Sequence, residues 1–114
     1  MPPNEYQELA EALKELDLPI AEEAWVTRPN AESYGVISLE FEAGNHGGDD
    51  RKQDAAWEGS IDLFSRKKRG EGYPEEIGNV LNQKCGASWE LSHHSWERET
   101  GLFHWEWVFQ IFGD

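Results

Sequence analysis

The sequence predicts one α+β domain: two helices against a mainly antiparallel sheet, in the order α-β-β-β-α-β-β over residues 1–114. Three observations carry that prediction. Two segments, 4–16 and 74–84, repeat their apolar residues at the three-to-four spacing of a helix. Residues 34–41, 55–64 and 88–112 instead favour β-branched and aromatic residues with a period of two. Turn-forming clusters separate these segments, with no internal repeat, linker or second domain between them.

In the first segment Tyr6, Leu9, Ala10, Leu13 and Leu16 gather one apolar stripe, with Asn4 placed to cap it and Gln7 as the reciprocal partner. Pro19 forbids continuation. "AWVTRP" (24–29) is expected as a short strand closed by Pro29, and "YGVISLEF" (34–41) as the next. "EAGNHGGDDRKQD" (42–54) is too rich in glycine and polar residues for regular structure. In "AAWEGSIDLF" (55–64), Trp57, Ile61 and Leu63 share one face, and Glu58, Ser60 and Asp62 the other. Residues 35–41 and 56–64 are therefore expected to pair antiparallel across a long, mobile hairpin loop.

The second helix opens with Pro74 at a position needing no N–H donor, and with Glu75 and Glu76 at the positive end of its dipole. Ile77, Val80 and Leu81 form its buried stripe, Lys84 sits in the last turn and Gly86 ends it. Strands 88–98 and 102–112 then close the chain around "ETG". In the last strand Phe103, Trp105, Trp107, Phe109 and Ile111 form an aromatic wall that the helices are expected to cover. Leu102, His104, Glu106, Val108, Gln110 and Phe112 face the other way, where apolar groups left uncovered would mark an interface. In the preceding strand, strict alternation puts Trp89, Leu91 and His93 on one face, with His94 and Trp96 opposite.

The composition excludes several classes. Fourteen aromatics, six of them tryptophan, are too many for a disordered acidic tail. A net charge of −13 repels phosphates and disfavours nonspecific binding to duplex DNA. Charge is uneven: residues 1–50 hold 12 acidic groups against Lys14 and Arg28, whereas Arg66, Lys67, Lys68 and Arg69 form one basic run. That run reads as a solvated loop or as a contact for an acidic surface, including one on a second copy of the chain. Cys85 stands alone, so no internal disulfide forms, and a reducing compartment is expected. The acidic N-terminus has no secretory pattern and no apolar run reaches membrane-spanning length, so a soluble protein without membrane contact is expected.

Catalytic chemistry finds little support. "SHHSWERETGLFHWEW" (92–107) concentrates His93, His94 and His104 near Glu97 and Glu106. Adjacent strand residues project to opposite sides, so His93 and His94 cannot share a metal, and no HExxH or paired-cysteine spacing is present. Cys85 follows a helix C-terminus, where the dipole opposes a thiolate. Asn45, Asp49 and Asp50 lack the spacing of a calcium loop. No phosphate loop, dinucleotide fingerprint or serine elbow occurs. The expectation is a non-enzyme with no metal or cofactor.

The succession "LDLPIAEEAWVTRPNAESYGVISLEFEA", a loop containing "DD", "WEGSIDLFSRKK", "YPEEIGNVLNQ" and the terminal "GLFHWEWVFQIF" resembles the tail-completion or tail-terminator proteins of long-tailed, non-contractile bacteriophages. "AEEAW" departs from that family's pattern, which more often has a tyrosine after the Leu-Pro-Ile segment, and the loop carries extra glycine. The resemblance implies a structural virion protein that caps the finished tail tube as a six-membered ring and joins tail to head. Its partners would be other copies of itself, the tail tube protein and the head-completion or connector protein. It would be made in the host cytoplasm and end at the head–tail interface, with genomic DNA passing through an acidic lumen without specific recognition. By the same resemblance Gly44, Asn45, His46, Gly47, Gly48, Asp49, Asp50, Arg51 and Lys52 belong to a loop facing tube or lumen. Arg66, Lys67, Lys68 and Arg69, with Leu102, His104 and Phe112, are candidates for subunit or partner contact. Two other readings are a small acidic DNA mimic or inhibitor that binds a DNA-binding protein, and a small metalloenzyme. The basic run weighs against the mimic, which gains nothing from it.

Overall fold

The computed structural model describes residues 4–43, 56–86 and 88–112. They form α1 (Asn4–Lys14), β1 (Ile20–Glu22), β2 (Ser33–Ala43), β3 (Ala56–Ser65), α2 (Tyr73–Cys85), β4 (Trp89–Glu97) and β5 (Leu102–Phe112). The order is the expected one, and the five strands make one mixed sheet arranged β1-β2-β3-β5-β4. Only β1 runs parallel to its neighbour; β2–β3, β3–β5 and β4–β5 are antiparallel.

The first strand is not where its composition puts it. Residues 24–29 are irregular, and β1 lies earlier, pairing Ile20, Ala21 and Glu22 with Gly35, Val36 and Ile37. Glu23 takes a left-handed φ of 72° and turns the chain off the sheet, so Val26 is fully exposed. Local β-propensity in "AWVT" is overridden by the pairing that "PIAE" makes with β2. Helix α1 also ends two residues before Leu16, in a tightened turn where the Leu16 amide donates to the Leu13 carbonyl at 3.1 Å.

Both helices lie on one face. Tyr6, Leu9 and Leu13 of α1 and Ile77 and Leu81 of α2 are buried against Ile37, Ile61, Leu63, Trp105, Trp107, Phe109 and Ile111. The odd-numbered residues of β5 are thus the floor of the core, as expected, with Phe103 packed at its margin. Each fully buried leucine or isoleucine here contributes about 1.5–3 kcal/mol.

Two backbone features make that packing possible. A Cβ on Gly59 would lie 2.5 Å from Phe109 Cζ and 2.5 Å from the Ser38 carbonyl oxygen, so the Phe109 ring occupies the space that a side chain would need. Between β3 and α2, Gly70, Glu71 and Gly72 are all left-handed, at φ 65°, 58° and 82°. The Glu71 carboxylate meets the Ser33 hydroxyl at 2.6 Å, and Ser33 Oγ lies 2.7 Å from Ser65 Oγ, which tethers this strained turn to the ends of β2 and β3.

Gly59→Ala is expected to lower the unfolding free energy by about 3 kcal/mol through overpacking against Phe109. Urea denaturation followed by tryptophan fluorescence measures it, and an unchanged midpoint would show that the Phe109 ring is not seated on Gly59.

Candidate functional site

Among the described residues the opposite face of the sheet carries no helix and is built from the even-numbered residues of β3, of β5 and of β2 up to the irregularity between Leu39 and Phe41. Register aligns Tyr34 with Phe64 and Phe64 with His104. Their rings stack in that order across three strands, Tyr34 on Phe64 at 5.3 Å and Phe64 on His104 at 4.4 Å between centroids. The irregular segment after β1 packs over the near end of this row. Trp25 meets Tyr34 edge-on at 6.4 Å, its indole N–H donates to the Gly35 carbonyl at 3.0 Å, and the Arg28 guanidinium lies 5.8 Å from the Tyr34 ring centre. Tyr34 is consequently buried without help from either helix.

A bulge changes the histidine pattern. Pairing of β4 with β5 slips between Leu91 and His93, so Ser92 is the extra residue. Before it, Trp89 and Leu91 align with Phe109 and Trp107 on the helix side. After it, His94 and Trp96 align with Trp105 and Phe103 on that same side, and His93 aligns with Glu106 on the helix-free side. The expectation that Trp89, Leu91 and His93 share a face is therefore corrected, because one inserted residue flips the parity of all that follow. His93 and His94 do still point to opposite sides: the His94 ring stacks on Trp105 at 4.5 Å, and the His93 ring lies 5.4 Å from His104.

His104 is the most closely engaged of the three. Its Nε2 lies 2.7 Å from Asp62 Oδ1 and its Nδ1 lies 2.9 Å from Glu97 Oε2, with side-chain exposures of 16%, 22% and 31% for His104, Asp62 and Glu97. Burial pushes the Asp62 carboxyl above its ordinary range, opposed by the hydrogen bond and charge of His104 and reinforced by Glu106 and Glu97. Among the described residues, no three His, Cys, Asp or Glu side chains gather as a metal site would require. Glu58, Ser88 and Glu90 line an open cleft of about 280 Å³ beside Val108 and Gln110.

Cys85 closes α2 half-buried against the core, and burial raises its thiol to about 11. It is poorly suited to nucleophilic work.

The proposed contact residues fall in different places. Arg66, Lys67, Lys68 and Arg69 are all exposed, in the turn that leaves β3. Leu102 is only 5% exposed, so the open apolar patch expected on this face does not include it. His104 is mostly enclosed by its two carboxylates. The Phe112 side chain, and Gly44 to Lys52 as a whole, lie outside the described residues. Sequence reading missed the exposed apolar groups that matter most, Leu91 at 48% and Trp96 at 54%. Both sit on the helix side of β4, an edge strand whose outer flank has no partner among the described residues. Strand order decides this: β5 pairs with β3, which leaves β4 outermost, and α2 covers only its start, where the Trp89 indole N–H donates to Asn82 Oδ1 at 3.0 Å.

No protein-family model matches the chain, and no curated protein matches it either. Among solved structures, a chain from the virion of a native gene transfer agent particle superposes with a TM-score of 0.53, covering 93% of this chain and 88% of that one at 15% identity. At that identity the likeness is one of fold.

Alkylation of Cys85 by iodoacetamide is expected to keep rising about tenfold per pH unit between pH 9 and 10, because a thiol near 11 is still mostly protonated there. A rate that levels off near pH 8.5, as for an ordinary cysteine, would contradict the burial assigned to it.

Proposed function

We propose that this chain is a structural protein of a phage-like virion, acting without catalysis as a ring that caps the finished tail tube and offers the surface where the head joins. The observation that carries this reading is the whole-chain likeness in fold to a component of a gene transfer agent virion, spanning both chains almost end to end. The element order and the segments that resemble tail-terminator proteins point the same way.

The physical features suit a subunit that is completed by its neighbours. The helix side of the sheet is a closed core, yet β4 leaves a nine-residue edge with Leu91 and Trp96 half exposed beside it. An edge strand with apolar anchors is a template for adding another chain. The exposed run Arg66–Arg69 stands against a chain of net charge −13, so a basic turn on one copy can meet an acidic surface on another copy, on the tube protein or on the connector. The same net charge gives a ring a lumen that repels DNA phosphates, so a genome can pass without adhering. In this reading Gly44 to Lys52 reach toward tube or lumen, assembly occurs in the host cytoplasm, and the finished protein resides at the head–tail interface.

The test is genetic and biochemical together. Particles produced without the chain are expected to carry tails of uncontrolled length or tails that fail to join heads; normal virions would remove the assignment. The double variant Leu91→Ser/Trp96→Ser is expected to fold within about 1 kcal/mol of wild type, since both side chains are already half exposed, and yet to reproduce the assembly defect. Full infectivity of that variant would move the subunit contact away from β4. Tight binding to an isolated DNA-binding protein, with virions unaffected by loss of the chain, would favour the inhibitor reading instead.

A further inference from the structure

We propose that Asp62, His104 and Glu97 form a proton-dependent clasp that joins β3 to the turn end of β4 across β5. The inference goes beyond the virion reading and stands without it. It begins with donors and acceptors. Both ring nitrogens of His104 face carboxylate oxygens, at 2.7 Å and 2.9 Å, and a carboxylate only accepts hydrogen bonds. A neutral imidazole has one N–H, so one of these contacts would set a lone pair against a negative oxygen. Both bonds are satisfied only when the trio holds one additional proton. Imidazole is ordinarily more basic than either carboxyl by about two pH units, so the proton resides on the ring and makes both bonds charge-assisted.

The surroundings retain that proton. Glu106 of β5 and Glu97 of β4 add negative charge around Asp62, while burial makes a bare Asp62 carboxylate costly without the cationic ring beside it. His93 of β4 is the other titratable group against the ring, at 5.4 Å, and its Nε2 is occupied by Ser95 Oγ at 2.7 Å. Phe64 covers one face of the imidazole, and Arg28 is held over Tyr34 at the far end of the stacked row. Glu97 also accepts from the Thr100 hydroxyl at 3.2 Å, which fixes the hairpin turn to the same carboxylate.

The sign follows from where the proton is held. The folded trio binds a proton that the unfolded chain releases above about pH 6.5. Its stabilisation is therefore present just below that pH, as long as the carboxyls stay ionised, and is lost as pH rises through the point at which the folded trio lets go. The released proton goes to solvent and leaves Asp62, Glu97 and Glu106 as an uncompensated acidic cluster on the helix-free face. At strongly acidic pH the carboxyls take up protons and the clasp loses its charged acceptors.

Nitrogen-15 NMR of the His104 ring reads the proton directly. In wild type at pH 7.5 both ring nitrogens are expected to carry hydrogen, and Asp62→Asn or Glu97→Gln is each expected to give a neutral ring with one bare nitrogen at that pH. A bare nitrogen in wild type, or variants whose ring stays doubly protonated, would overturn the clasp. Should Asp62→Asn not fold, the wild-type spectrum and Glu97→Gln, at the partly exposed end of β4, still decide. As a second readout, the urea midpoint of wild type is expected to fall between pH 6 and pH 9 more steeply than that of Glu97→Gln; equal slopes would count against the clasp.

Discussion

The burial of one side of β5 governs the rest of the molecule. Trp105, Trp107, Phe109 and Ile111 are each at most 4% exposed, and both helices pack on them. Because strand side chains alternate, fixing these four toward the helices also fixes His104, Glu106, Val108 and Gln110 toward the opposite face. β5 sits between β3 and β4, so its register sets that of its neighbours: Ile61 and Leu63 join the core, and Asp62 and Phe64 are delivered beside His104. Gly59 is where this arrangement is least tolerant, since the Phe109 ring fills the position of its missing side chain.

One irregularity adjusts the outcome at the edge. Without the extra residue at Ser92, the C-terminal half of β4 would keep the parity of Trp89 and Leu91 and send His94 and Trp96 to the helix-free face. With it, His94 reaches Trp105, Trp96 remains on the helix side, and Glu97 comes round to His104. The bulge thus brings Glu97 to complete the carboxylate–imidazole–carboxylate row on one face, and puts the exposed Trp96 on the same side as Leu91 beside the edge. Bulges commonly re-aim side chains in this way, and they also discourage indiscriminate pairing at an edge.

How much of this was legible in the sequence depends on the range of the interaction. The helices at 4–16 and 74–84, the hairpin at 88–112 and the aromatic wall of β5 are written in local periodicity, and the structure returns all of them within a few residues. Local propensity misplaces β1: "AWVT" has strand propensity, whereas pairing with β2, an interaction between distant segments, selects "IAE". The parity of His93 failed because a bulge leaves no mark in the pattern of residue types. Strand order, which leaves β4 at the edge, is likewise set by long-range pairing, so Leu91 and Trp96 could not be recognised as surface. Along the chain His104 stands near the carboxylates Glu97 and Glu106. Its partner Asp62, 42 positions away, becomes apparent only through the β3–β5 register.

Under the proposed function the subunit is closed by its own helices over the core and open along one edge strand with apolar flanks, where another chain would add. The most direct measurement is amide hydrogen exchange of β4 compared with β5, first in the isolated protein and then in the assembled particle. In the isolated protein β5 amides should be protected and the outward-facing amides of residues 89–97 should exchange freely, and on assembly those β4 amides should become protected while β5 hardly changes. If β4 is already as protected as β5 in the isolated chain, or stays open in the particle, the edge is not the surface that assembly completes.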